Sequence, residues 1–152
     1  MSSRIILDGL IRLWDHDDGH AHLELNNPPV NTLSVKLVDE LYDILSSDIN
    51  CKNKKFKVLT IGGLDKHFSA GADLKERASM PGAEALEFLD KLNNCFDLVE
   101  DLEIPTVAMI HGAALGGGAE LALCCDIIVA EAGLHRQYYD QNSIDKCDCW
   151  LD

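Results

Sequence analysis

The sequence predicts an α/β protein, and two observations carry that prediction. The first is Ile104–Val129, IPTVAMIHGAALGGGAELALCCDIIV. An apolar, β-branched run (Pro105–Ile110) meets Gly112 and Gly116–Gly118, continues as the Ala/Leu-rich segment Ala119–Cys125, and ends in a second apolar run, Ile127–Ala130. That is strand, glycine turn, short helix, strand. A fully apolar strand with helices before and after it belongs inside a sheet covered on both faces. The second observation is that the chain ahead of this stretch alternates between strand-like and helix-like patterns.

Residues 5–14 (IILDGLIRLW) and 20–25 (HAHLEL) flank Asp17-Asp18-Gly19, which is turn chemistry, so an opening β-hairpin is expected. Asn26-Asn27-Pro28-Pro29 ends it, because tandem prolines cannot continue a ladder. From Thr32 or Ser34 to about Ser46, Leu33, Leu37, Leu41, Ile44 and Leu45 keep helical spacing, with Ser34 as the cap. The linker Asp48–Lys57 leads to a strand, Phe56–Ile61, with Gly62-Gly63 as its exit turn. Asp73 is placed to cap a helix, and Met80-Pro81-Gly82 breaks the chain. Ala83–Leu102 then reads as a long packing helix: Leu86, Leu89, Leu92, Phe96, Val99 and Leu102 recur every three or four residues, while Glu84, Glu87, Asp90, Lys91 and Glu100 stay out.

Composition narrows the classes. A length of 152 residues suits one domain, and a hydrophobic share of 47% is globular, with apolar runs too short to span a bilayer. Asp8, Asp15, Asp17 and Asp18 argue against a transit peptide, and no signal-peptide pattern opens the chain. The six cysteines (51, 95, 124, 125, 147, 149) contain no CxxC pair, so reduced thiols in a reducing compartment are expected. A formal charge of −13 opposes nucleic-acid binding through the bulk surface.

Chemistry concentrates in two places. Adjacent glycines at 116–118 let a backbone approach a ligand and leave N–H groups free at a helix start, with Glu120 in the first turn. Amide donors beside a carboxylate suit the chemistry of an enolate. The second place is Gly62–Asp73 (GGLDKHFSAGAD), whose small residues Ser69–Ala72 permit close approach, and ligands of open α/β sheets gather at strand C-terminal ends. Each has a structural alternative: a first-turn Glu can close a capping box, and the second loop can be an ordinary connection. Lys52, Lys54, Lys55 and Lys57 precede their strand, at the end away from these loops. His16, His20 and His22 lack a third ligand at metal spacing and read as strand histidines. Cys124 and Cys125 read as small core residues rather than nucleophiles. Position 121 is Leu, so no G-x-G-x-x-G follows the glycines; the chain also has no GK[ST] and no G-x-S-x-G.

His67–Arg77 (HFSAGADLKER) together with Ile104–Ala130 resembles the crotonase superfamily, the enoyl-CoA hydratase/isomerase family, over roughly residues 5–132. The AGADLKERA phrasing is most similar to the methylglutaconyl-CoA hydratase branch. The resemblance implies the N-terminal part of a crotonase-like spiral of ββα turns that takes an acyl-CoA thioester as substrate, with no separate cofactor and no metal. It implies that the Ala72 and Gly117 amides form an oxyanion hole and that Gly116 beside them binds substrate. Ala70 would meet the adenine end of coenzyme A, Asp73, Leu74 and Lys75 would line the substrate path, and Glu120 matches the first of two catalytic glutamates. Family members continue with an F-G-x-P-E-type segment carrying the second glutamate. This chain instead ends GLHRQYYDQNSIDKCDCWLD, with Asp140 at the corresponding spacing but in unrelated flanks, and with His135, Cys147 and Cys149 in no common zinc pattern.

The division expected is therefore an incomplete acyl-CoA-binding core, 1–132, and a divergent tail, 133–152, as in a truncated gene model or spliced variant. An enoyl-CoA hydratase-like lyase is the first expectation. The alternatives are a non-catalytic fragment that binds CoA or pairs with a full-length relative in a homo- or hetero-oligomer, and a Δ3,Δ2-enoyl-CoA isomerase. The branch's RNA binding is opposed by the charge. Location is mitochondrial by resemblance, or cytoplasmic if the chain is complete at its N-terminus.

Overall fold

A computed structural model describes residues 3–49 and 56–132 of the chain. Six strands form one sheet in sequence order: β1 (Ser3–Asp8), β2 (Ile11–His16), β3 (His20–Leu25), β4 (Val58–Gly63), β5 (Thr106–Ile110) and β6 (Ile127–Ala130). β1–β2 and β2–β3 are antiparallel; β3–β4, β4–β5 and β5–β6 are parallel. The parallel connections carry the helices α1 (Val35–Asp43), α2 (Leu74–Ser79), α3 (Gly82–Glu100) and α4 (Gly117–Leu123). This is the α/β architecture expected.

The opening hairpin is a three-strand meander. Residues 5–14 do not form one strand; they break at Gly9-Leu10, where the Glu40 carboxylate on α1 accepts from the Leu10 and Ile11 amides at 3.2 and 3.1 Å. A carboxylate that distant in sequence leaves no trace in the local pattern. The Asp17–Gly19 turn forms as expected, with Gly19 at φ +91°.

Ser34 caps α1, accepting from the Leu37 amide at 3.3 Å. The helix then loosens into a π-helical stretch, Ile44–Ile49, past the expected end at Ser46. Ser46 and Ser47 return their hydroxyls to the Tyr42 and Asp43 carbonyls, a pattern that bends helices. Gly62 and Gly63 are not an exit turn: they close β4, opposite Glu24 and Leu25. Two of the three consecutive glycines, Gly117 and Gly118, likewise belong to α4 itself.

One face of the sheet is the core. Ile11, Leu13, Leu23, Leu25, Leu59 and Ile61 are fully buried beneath Leu37, Leu41 and Leu92 of α1 and α3. The other face is open. Trp14, His22, Thr60, Val107 and Ile127 stand opposite one another across five strands, half-buried or exposed. Met109 is 45% exposed, and Ile127, Ile128 and Val129 are 53, 44 and 54% exposed. The expectation that the apolar strand β5 is covered on both faces therefore fails among the described residues, which supply no second layer. No helix of the described residues is long and apolar enough to cross a membrane.

Lys57 sits at the start of β4, its amide on the Gly19 carbonyl (2.8 Å), away from the strand's exit as expected. Lys52, Lys54 and Lys55 lie outside the described residues. So do the 133–152 tail and, in it, His135, Asp140, Cys147 and Cys149.

Candidate active site

Residues 26–34, 64–73 and 111–116 leave the C-terminal ends of β3, β4 and β5, which are parallel neighbours. The three loops pair with one another. Ala70 N–H donates to the Val30 carbonyl (2.9 Å) and Leu33 N–H to the Gly71 carbonyl (2.8 Å) on one flank. On the other, Ser69 N–H donates to Ala113 (3.0 Å) and Leu115 N–H to Ser69 (2.9 Å). The small residues are needed for this approach. Gly71 adopts φ +81°, and a Cβ there would lie 2.5 Å from the Leu115 carbonyl oxygen and 3.1 Å from the Gly117 nitrogen. A Cβ on Gly118 would lie 2.6 Å from the Ser69 oxygen.

Ala72 forms a single parallel bridge with Leu33. In that pattern the bonds are made by the residues on either side of the bridged one, so the Ala72 amide turns to the flank occupied by residues 113–117. Gly117 opens α4 behind Gly116, a cap at φ 49° with no side chain to offer. Gly118 and Glu120 donate to the Leu115 and Gly116 carbonyls (2.9 and 3.0 Å). Among the described residues, the Ala72 and Gly117 amides have no acceptor. Gly117 is buried, and a buried N–H left without an acceptor is costly unless water or a ligand supplies one.

Glu120 lies in the first turn of α4, exposed, with Oε2 3.7 Å from where a Gly117 Cβ would sit. The carboxylate thus turns back over the helix start. It accepts no hydrogen bond from a described residue, and Gly116 cannot complete a capping box. Ala70 has its N–H engaged but its carbonyl accepts from no described residue. Asp73 caps α2, taking the Lys75 and Glu76 amides at 2.9 and 3.2 Å. Leu74 is 77% exposed, and Lys75 beside it is exposed as well. The structure therefore gathers Ala70, Ala72, Gly116, Gly117 and Glu120 around one contact, with Asp73, Leu74 and Lys75 leading away from it.

The family described as enoyl-CoA hydratase/isomerase matches residues 15–143, most of the chain. The chain belongs to the enoyl-CoA hydratase/isomerase family. It is 42% identical over 120 residues to an enoyl-CoA isomerase/hydratase of Mycosarcoma maydis, covering 74% of this chain and 43% of that protein. It is 43% identical over 104 residues to the human mitochondrial methylglutaconyl-CoA hydratase, covering 66% of this chain and 29% of that protein. The crystal structure of an enoyl-CoA hydratase from Bacillus anthracis superposes with a TM-score of 0.75 at 37% identity, covering 80% of this chain and 47% of that one. The chain thus spans less than half the length of these relatives. The crotonase fold and the kinship with methylglutaconyl-CoA hydratases, both expected from the two motifs, hold.

Several residues that tie these elements together gave no signal in the sequence. Asn31, 2% exposed at φ +52°, donates from Nδ2 to the Leu64 and His67 carbonyls (2.9 and 2.8 Å) and accepts from the Asn27 amide (3.0 Å). His67 Nδ1 accepts from the Ala113 amide at 3.1 Å. Glu76 reaches the Val35 amide (2.9 Å), joining α2 to the start of α1. Asp126 accepts from the Thr106 amide and hydroxyl at 2.7 and 2.9 Å, and these bonds hold its carboxyl below the usual range. An isolated Asn or Asp between apolar runs reads only as a turn; Leu64 and His67 lie more than 30 residues from Asn31, and Thr106 lies 20 from Asp126.

The other candidates take structural roles. His20 Nε2 and His22 Nδ1 both meet Thr60 Oγ1, at 2.8 and 2.7 Å, and His16 stacks on His20 at 4.6 Å. Among the described residues no cluster is suited to hold a metal. Cys95, Cys124 and Cys125 are free thiols, each pushed up to about 12, by burial first and, at Cys124, by Glu100 next. A cavity of about 440 Å³ between Leu7 and the acidic edge of α1 (Asp39, Glu40, Asp43) contains none of the loop residues.

Proposed function

We propose that the chain is an enoyl-CoA hydratase-like lyase, adding water across the double bond of an α,β-unsaturated acyl-CoA thioester. The observation that carries this is the pair of amides, Ala72 and Gly117, without an acceptor among the described residues, on loops in direct contact, with the Glu120 carboxylate beside them. As water adds to the β carbon, charge passes through the double bond onto the thioester oxygen. Two preorganised N–H donors stabilise that enolate; losing one comparable donor in a hydrolase costs about 3–4 kcal/mol. Glu120 accepts the water's proton and, once protonated, is the acid at hand to return one to the α carbon. The open Ala70 carbonyl suits the amino group of the adenine, and Asp73, Leu74 and Lys75 line the approach. The substrate needs no cofactor or metal in this scheme. The mitochondrial relatives favour a mitochondrial location.

A second reading is favoured by the exposed β6: a non-catalytic crotonase-fold subunit that binds CoA or pairs with a full-length relative. An isomerase is the third, since the same donors would stabilise the same enolate. The test is to incubate the purified chain with crotonyl-CoA and 3-methylglutaconyl-CoA and follow enoyl absorbance, with Glu120→Gln as control. Hydration that the control loses supports the lyase. CoA binding without turnover supports the subunit, and a folded chain that does neither overturns both.

A further inference from the structure

We infer that Leu33 is a positioning residue that aims the Ala72 and Gly117 amides at a common point. The inference rests on the oxyanion-hole reading above and adds to it a residue from the third loop, the one that leaves β3. Leu33 is fully buried and touches the loop of each donor, one through its main chain and the other through its side chain.

On the Ala72 side the contact is the Leu33 N–H, which donates to the Gly71 carbonyl at 2.8 Å. That carbonyl and the Ala72 N–H are the two ends of one planar peptide, and in a trans peptide they point in opposite directions. Holding the carbonyl on Leu33 therefore turns the Ala72 N–H away from this loop, toward residues 113–117. Gly71 sets no such direction itself, because at φ +81° it has no side chain to restrict the plane. The Ser69 hydroxyl holds only the preceding peptide, through the Gly71 amide. The Leu33 N–H is itself fixed from behind: Asn27 Nδ2 donates to the Thr32 carbonyl at 2.7 Å, at the other end of the same peptide. On the Gly117 side the contact is apolar. Leu33 Cδ1 lies 3.1 Å from where a Gly117 Cβ would stand, with Leu92 Cδ2 of α3 3.7 Å from the same point. The first residue of α4 is thus seated on the Leu33 side chain, and the tilt of its N–H follows that seat.

The two contacts can be removed one at a time in the full chain. Leu33→Ala takes away the side chain and keeps the N–H. Its α-hydroxy analogue, leucic acid, in place of Leu33 turns the amide into an ester, which takes away the N–H and keeps the side chain. Carbonyl polarisation is read as the downfield 13C shift of crotonyl-CoA, labelled at the thioester carbon, on binding; affinity for CoA itself is measured by calorimetry. Expected for each variant is CoA affinity within about threefold of the parent with no more than about half of its carbonyl shift, since one of two donors is turned aside. The ester keeps every side-chain contact and carries the test if the alanine variant does not fold. A full shift in either folded variant, or a loss of CoA affinity beyond threefold alongside a reduced shift, overturns the inference and leaves the oxyanion-hole reading standing. No shift in the bound parent, or no binding, overturns both.

Discussion

Acidification should loosen the sheet through His22, by an amount that can be worked out. His22 is half-buried on the open face, its Nδ1 on Thr60 Oγ1 at 2.7 Å, with His20 Nε2 on the same oxygen at 2.8 Å and His16 stacked on His20. Burial first, then the neighbouring His20 and His16, hold its pKa at about 4, against 6.5 for a free imidazole; Asp18 acts on His20 in the opposite sense. Between those two values the unfolded chain binds a proton that the native chain does not, so stability falls as pH falls from 6.5 and the loss is complete below about 4. Fully expressed, the gap corresponds to about 3.4 kcal/mol, and at pH 5 to about 2. Partial access of water to the ring trims the pH 5 figure to about 1–2 kcal/mol. The comparison is with His22→Asn, which keeps a polar atom near the Nδ1 position and does not titrate. Urea unfolding at pH 7.5, 6 and 5 should show the parent losing about 1–2 kcal/mol more than the variant, since the carboxylates common to both cancel. Parallel losses in the two proteins would refute the reasoning.

Asn31→Ala removes the side-chain acceptor and donor of three part-buried bonds and should cost about 3 kcal/mol, read as a lower urea midpoint with unchanged slope. Ile128→Lys on the exposed edge strand β6 should reduce concentration-dependent association in sedimentation without changing the unfolding midpoint. Cys95, Cys124 and Cys125, with pKa values of about 12, should react with iodoacetamide at pH 8 at least about a hundredfold more slowly than in the urea-unfolded chain, resolved peptide by peptide by mass spectrometry.

What the sequence made legible was whatever is written within one turn or one strand. The helical spacing of Leu37 and Leu41, the Ser34 and Asp73 caps, the Gly19 turn and the strand–glycine–helix run at 104–129 are all local patterns, and all formed. What was not legible depends on partners distant in the chain. Glu40 splits the first strand from 29 and 30 residues away, and Asn31 organises a loop more than 30 residues on. The glycines at 62–63 and 117–118 misled in a related way. Read locally they are turn residues, but they are small because another backbone or side chain lies against them: the His67 and Phe68 carbonyls at Gly63, Ser69 at Gly118. The open face was the reverse case, since an apolar run says that cover is wanted without saying which residues provide it.

The same separation runs through the candidate site. Both amide donors lie on consecutive crossovers from adjacent parallel strands, and their spacing is fixed by the β4–β5 register and the Ser69 bonds. None of those constraints uses a residue beyond Gly118, and Glu120 follows within the same helical turn. The second face of the sheet has no cover among the described residues, and Ile127, Ile128 and Val129 of β6 are exposed. On the proposed function, charge stabilisation and cover fall to different parts of the fold and should respond to different substitutions. Glu120→Gln should abolish hydration and leave association unchanged, whereas Ile128→Lys should change association and leave the carbonyl shift of bound crotonyl-CoA intact. If Ile128→Lys instead erased that shift, the two loops would depend on what covers β6, and the donor pair could not be a property of this half of the fold alone.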